Sequence, residues 1–124
     1  MKKVYFISIL LLFLTCVLVG CSNDAKSNEK NISVRAYIME ESKEPVKPTV
    51  LLEDNSKFTF TYSVLSSYIA MGSYKVDDGN LILETDDGKY KYVFKIEEDS
   101  LIFNAAESSK MPSYVNVPDG AIFK

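Results

Sequence analysis

The sequence predicts an all-β domain: a single small antiparallel meander of about eight strands that closes into a barrel, with one short helical turn near residues 64–70. Three observations predict it. Two ten-residue stretches, YKVDDGNLIL (74–83) and FKIEEDSLIF (94–103), repeat the same order of aromatic, Lys, β-branched residue, acids, turn formers and apolar return. KYKYVFKI (89–96) and KFTFTYS (57–63) alternate apolar and polar residues with a period of two, the signature of a strand with one buried face. Short clusters of Asp, Asn, Gly and Ser separate these runs, with no helical period between them.

The chain begins with Lys2 and Lys3, followed by an apolar run from Val4 to Val19. That is the charged and apolar architecture of an export signal. The run is shorter than the ~20 residues that span a bilayer, which argues against a plain transmembrane helix. It ends in Leu18-Val19-Gly20-Cys21, a tetrapeptide that resembles the bacterial lipobox. The resemblance implies cleavage after residue 20, a diacylglyceryl thioether on Cys21 and an anchor in the cell membrane, with the protein on its extracytoplasmic face. Residues 1–20 are thus read as a lipoprotein signal peptide. Residues 21–31, the Cys and the polar SNDAKSNEKN, form a flexible tether with no large apolar side chain to bury. Ten such residues reach roughly 30 Å when extended.

Cleavage would remove Cys16 and acylate Cys21, leaving no thiol for a disulfide, a metal site or nucleophilic catalysis. Removing Lys2 and Lys3 from 14 basic residues set against 17 acidic ones leaves a formal net charge of −5. A chain of that charge without a basic run cannot neutralise phosphates, so no nucleic-acid partner is expected.

Residues 32–124 are read as the barrel-like domain. Strands are expected near 33–40, 49–53, 57–63, 72–76, 80–85, 89–97, 100–105 and 121–124. In 89–96, Tyr90, Tyr92, Phe94 and Ile96 share one face while Lys89, Lys91 and Lys95 hold the other. Asp77-Asp78-Gly79-Asn80 and Glu97-Glu98-Asp99-Ser100 are the two hairpin turns, Asp86-Asp87-Gly88 joins them, and Glu53-Asp54-Asn55-Ser56 makes a looser copy between TVLL and KFTF. Consecutive hairpins give a meander, and closure removes its two exposed edges. Within SVLSSYIAM (63–71), Val64, Leu65, Tyr68, Ile69 and Met71 would form a helical plug at one end of the barrel, ended by Gly72.

The chemistry-bearing residues mostly have bland readings. The acidic pairs lack the EF-hand spacing and read as solvated turns; as exposed carboxylates they are poorly placed for glycosidase work. No His is present, so Ser-His and Cys-His catalysis are excluded. Ser63, Ser66, Ser67, Ser108 and Ser109, the last beside Lys110, leave only a formal Ser-Lys option without SxxK spacing. Met39, Met71 and Met111 are scattered and read as packing rather than a copper site. No catalytic residue, metal or cofactor is assigned. The aromatic side chains Tyr62, Tyr74, Tyr90, Tyr92 and Phe94 are the candidate ligand-lining residues, with Tyr68 and Tyr114 beside them. They would either line a site for an amphipathic small ligand or fill the core of a barrel small enough for side chains to occupy.

Leu65-Ser66-Ser67-Tyr68, Gly72-Ser73-Tyr74, Asp86-Asp87-Gly88, Tyr92-Val93-Phe94-Lys95-Ile96 and Pro118-Asp119-Gly120 together resemble a small domain of Gram-positive bacteria. It is found as free lipoproteins and at the extracytoplasmic end of bla-type regulators that sense β-lactams. The likeness implies an accessory role in β-lactam or cell-wall stress sensing, but SxxK and KTG motifs are absent from the mature part, so no sensing serine carries over. Gly72-Ser73-Tyr74 and the Leu81-Ile82-Leu83 return also resemble lipocalin-like lipoproteins, which implies a barrel more than it implies a bound lipid. The functional expectation is a non-enzymatic binding or interaction module at the cell envelope. An envelope protein or cell-wall component is its partner; the alternative is a carrier or sensor of a small ligand.

Overall fold

Alternating side chains become one eight-stranded antiparallel sheet in strict chain order. Its strands are β1 (Ala36–Ile38), β2 (Thr49–Glu53), β3 (Lys57–Thr61), β4 (Ala70–Asp77), β5 (Asn80–Thr85), β6 (Lys91–Glu97), β7 (Ser100–Asn104) and β8 (Ile122–Phe123). The computed structural model describes residues 32–124; the export signal, Cys21 and the tether lie outside the described residues. The two edges meet where Ile38 and Lys124 exchange backbone hydrogen bonds, N–H of Ile38 to O of Lys124 at 2.8 Å and the reverse at 2.9 Å. That reciprocal pair brings the barrel close to closure and satisfies edge groups that would otherwise invite another chain.

Below this pair β8 ends, and Arg35 takes over the seam. Its guanidinium donates to the carbonyl of Ala36 at 3.0 Å and to that of Asp99 in the β6–β7 turn at 2.7 Å. It also lies 3.9 Å over the Tyr37 ring, a cation–π contact. One side chain thus bridges the first strand to a turn 64 residues away.

The repeat is two hairpins. Asp77 pairs with Asn80 across Asp78-Gly79 in the first, and Glu97 pairs with Ser100 across Glu98-Asp99 in the second. Asp78 and Gly79 have φ of 50° and 76°, the left-handed pair that suits a two-residue turn to strand twist. Glu98 adopts φ 50° as well, at a steric cost of roughly 1–2 kcal/mol that Gly or Asn largely avoids.

The inner face of every strand contributes to one core. Phe58 and Phe60 from β3, Leu81 and Leu83 from β5, Tyr92, Phe94 and Ile96 from β6, Leu101 and Phe103 from β7, and Phe123 from β8 are all buried. Phe60, Phe94 and Phe123 form the centre, with ring centroids 5.3–5.9 Å apart and planes near perpendicular. Edge-to-face packing of this kind adds about 0.5–1.5 kcal/mol per pair beyond area burial.

Two expectations are corrected. No helix forms over residues 64–70; among the described residues the helical element is the single 3-10 turn Asp54–Ser56. Serines decide this locally. The Ser63 hydroxyl accepts from the N–H of Leu65 at 3.1 Å, and the Ser66 hydroxyl accepts from the N–H of Tyr68 at 3.2 Å while donating to its carbonyl at 2.9 Å. Such bonds compete with helical ones. Consequently Val64, Leu65 and Ile69 plug nothing and stay 56%, 73% and 54% exposed.

Gly72 ends no helix either. It lies within β4, between Phe58 and Thr85, where a Cβ would come within 2.9 Å of both the Asp86 nitrogen and the Thr85 Cα and would also meet the Glu84 carbonyl. Its role is close approach of neighbouring backbone.

Candidate functional site

The two ends of the barrel are built differently. One end has the tight turns after β2, β4 and β6, and the described chain begins there, with Ile32 and Ser33 beside Glu98, Asp99 and Ser100. The other end has the longer connections after β1, β3, β5 and β7. An open cleft of about 400 Å³ lies at this second end, lined by Tyr62, Ser66, Tyr68, Tyr90, Lys110, Met111, Pro112 and Tyr114.

Each wall of the cleft is fixed by a specific local device. Tyr68 is held from two directions: its hydroxyl donates to Oδ2 of Asp87 at 2.7 Å, and its ring packs edge-on to Tyr90 at 5.3 Å. Asp87 in turn accepts from the Thr85 hydroxyl at 2.6 Å and from the N–H of Lys89 at 3.0 Å. The Thr85 hydroxyl, the Lys89 N–H and the Tyr68 hydroxyl together pull the Asp87 carboxyl down to about 2. Burial and the bond to Asp87 push the Tyr68 phenol up. The acidic turn Asp86-Asp87-Gly88 therefore ties the β5–β6 connection to the β3–β4 loop.

The third wall comes from the chain after β7. Beyond Asn104 the strand ends, and serines continue its pairing with β6. The N–H of Lys91 donates to the Ser109 hydroxyl and that of Val93 to the Ser108 hydroxyl, each at 2.8 Å, while the N–H of Ser109 donates to the Lys91 carbonyl at 2.7 Å. The Ser108 hydroxyl donates to the Asn104 carbonyl at 2.6 Å. These bonds hold the segment that carries Lys110, Met111, Pro112 and Tyr114 against the mouth.

The candidate aromatic residues divide among three places. Tyr90 half-lines the cleft and stacks on Tyr92 at 6.3 Å with planes 12° apart. Tyr62 lines the cleft floor and packs edge-on to both Phe60, at 5.4 Å, and Tyr92, at 6.3 Å. Tyr92 is buried in the core, where desolvation, reinforced by the neighbouring Tyr62 hydroxyl, raises its phenol strongly. Phe94 is fully buried at the barrel centre. Tyr74 stands apart on β4, half-buried, in a shallow depression of about 140 Å³ with Ser73, Lys75, Ile82 and Glu84.

Sequence reasoning missed Lys110, Met111 and Pro112 as lining residues and Asp87 as the anchor of Tyr68. The Ser108-Ser109 pair, read as a formal catalytic option, was the usable signal: both hydroxyls are engaged by backbone of β6 and β7. Among the described residues no group of three or more His, Cys, Asp or Glu is placed to hold a metal ion. A second groove, about 420 Å³, runs outside the seam past Glu97, Glu98, Ser100, Ile102, Ile122 and Lys124 and offers no aromatic ring.

Comparison with protein-family models, with curated proteins and with solved structures finds no match to this chain. The site is therefore read from its own geometry.

Proposed function

We propose that the protein is a membrane-anchored, extracytoplasmic binding module without enzymatic activity, and that the tyrosine-lined mouth engages a component of the cell envelope. The observation that carries this reading is the convergence of four tyrosines, Tyr62, Tyr68, Tyr90 and Tyr114, on one open cleft at the end of the barrel opposite the beginning of the described chain. The lipobox at Leu18-Val19-Gly20-Cys21 supports the anchor, and a tether joined at the tight-turn end would present the mouth away from the lipid surface. Tyr and Met are enriched at recognition surfaces, because rigid rings give contact area at little entropic cost. The interlocked rings of Phe60, Phe94 and Phe123 favour recognition at the mouth over carriage of a ligand inside the barrel.

The test is photocrosslinking in the native host, with a photoreactive residue placed at position 114 on the mouth or at position 53 on the tight-turn end. The expected result is a discrete adduct from position 114 and none from position 53. Equal labelling at both positions, or none at either, would contradict the reading. Loss of fatty-acid incorporation in Cys21→Ala is the parallel expectation for the anchor, and an acylated Cys21→Ala protein would refute it.

A further inference from the structure

The polar groups of the mouth are not balanced between donors and acceptors. The two best acceptors near the cleft are already engaged: the Asp87 carboxylate by the Thr85 hydroxyl, the Lys89 N–H and the Tyr68 hydroxyl, and the Ser66 hydroxyl by the backbone of Tyr68. The Tyr62 hydroxyl faces that of Tyr92. Of the lining side chains, Lys110, Tyr90 and Tyr114 carry the polar groups left for a ligand among the described residues. An ammonium only donates, a phenol donates or accepts, and the lining holds no free carboxylate or side-chain amide to act as a dedicated acceptor.

A ligand matched to this surface has flat apolar flanks and more hydrogen-bond acceptors than donors. A saccharide fits less well, since its many hydroxyl donors would find only phenol oxygens and no carboxylate or side-chain amide in the lining. Proline fits well. It has no N–H, a run of prolines presents solvated carbonyls in the extended polyproline II form, and such segments dock in aromatic-lined grooves. The preformed helix also lowers the entropic cost of ordering.

The rim points the same way. Val64 and Leu65 stand exposed on the loop that supplies Ser66 and Tyr68, and Tyr114 is 46% exposed. Exposed apolar residues gathered around a cleft mark a protein-interaction site more than scattered ones do. Lys110 is the cation of the lining, so a carboxylate next to the proline run complements it.

Resting on the binding reading above, we propose that the mouth takes a proline-rich segment of a partner protein in polyproline II form, with an acidic residue set against Lys110.

The experiment follows tyrosine ring resonances of the isotope-labelled full chain in nonionic detergent micelles. The titrants are a synthetic peptide of eight prolines followed by two glutamates, its counterpart with every proline replaced by glycine, and a tetramer of N-acetylglucosamine. Saturable shifts of the Tyr62, Tyr68, Tyr90 and Tyr114 rings are expected with the proline peptide, with binding at least tenfold weaker for the glycine peptide. Tyr114→Ala, at an exposed ring, is expected to weaken the proline peptide tenfold or more. Lys110→Ala is expected to weaken it less and to abolish its salt dependence. No saturation at millimolar peptide, or equal binding of the glycine peptide, would overturn the proposal. Shifts of the same rings by the saccharide instead would overturn it too, yet leave the binding reading standing. Failure of all three titrants together with absence of adducts at position 114 would remove both.

Discussion

The two ends of this barrel use similar residues for opposite purposes. At the tight-turn end, Asp78, Gly79 and Glu98 occupy left-handed backbone and reverse the chain, and Arg35 reaches the β6–β7 turn through the Asp99 carbonyl. At the mouth, the superficially similar Asp86-Asp87-Gly88 turn holds Tyr68 in place through a 2.7 Å bond from the phenol. Both turns read alike as acidic and solvated, but one carboxylate has a partner in another loop. What separates the two ends is the group engaged from outside the hairpin: a main-chain carbonyl at the tight-turn end, a side-chain carboxylate at the mouth.

The largest expected effect tests the scaffold both ends share. Phe94→Ala removes the fully buried central ring and should cost ~3–5 kcal/mol, a large share of the ~5–15 kcal/mol that holds a domain together. Chemical denaturation measures it; a loss below 1 kcal/mol would mean the centre is not packed as described. Gly72→Ala comes next, because its Cβ would press on the backbone of β5. A loss of about 1–3 kcal/mol is expected for such overpacking, and an unchanged midpoint would contradict the close approach.

Smaller effects separate the ends. Glu98→Gly relieves left-handed strain at the tight-turn end and should raise stability by about 1 kcal/mol, with no change at the mouth. A destabilised Glu98→Gly would show that the Glu side chain has a role beyond the turn. At the mouth the expected effect appears only in acid. The folded Asp87 carboxyl sits near 2, below its ordinary 3.8, so its contribution is present above about pH 4 and is lost as pH falls through about 2. Asp87→Asn should remove that slope from an acid titration of stability; an identical slope in the variant would assign it elsewhere.

Much of the fold was legible because strands and hairpins are local. The period of two in KFTFT and KYVFKI put Phe58, Phe60, Tyr92, Phe94 and Ile96 inside, and the Asp-Gly and Glu-Asp turns fixed register one pair at a time. The helical turn over 64–70 was misread since its apolar spacing suits a helix, whereas the Ser63 and Ser66 hydroxyls capture the backbone first. The site was only half legible. Tyr62 and Tyr90 were in the candidate set and Tyr68 and Tyr114 stood beside it, but Lys110 and Tyr114 reach the cleft only because Ser108 and Ser109 replace a strand beside β6. A substitution of side-chain for backbone pairing over a separation of 15 residues or more leaves no periodic trace in the sequence. Phe94 and Tyr92 shared a stripe with Tyr90, and nothing in a period of two says where along the barrel axis a stripe leaves the core and becomes a rim.

The central claim is a filled barrel whose recognition surface lies outside it. Native mass spectrometry of the protein, recovered gently from an export-competent host, tests this most directly. The account predicts the mass of the covalent chain alone, with no small molecule retained. A compound of defined mass held at one per chain, and kept in Tyr114→Ala, would place a ligand among Phe60, Phe94 and Phe123 and contradict it.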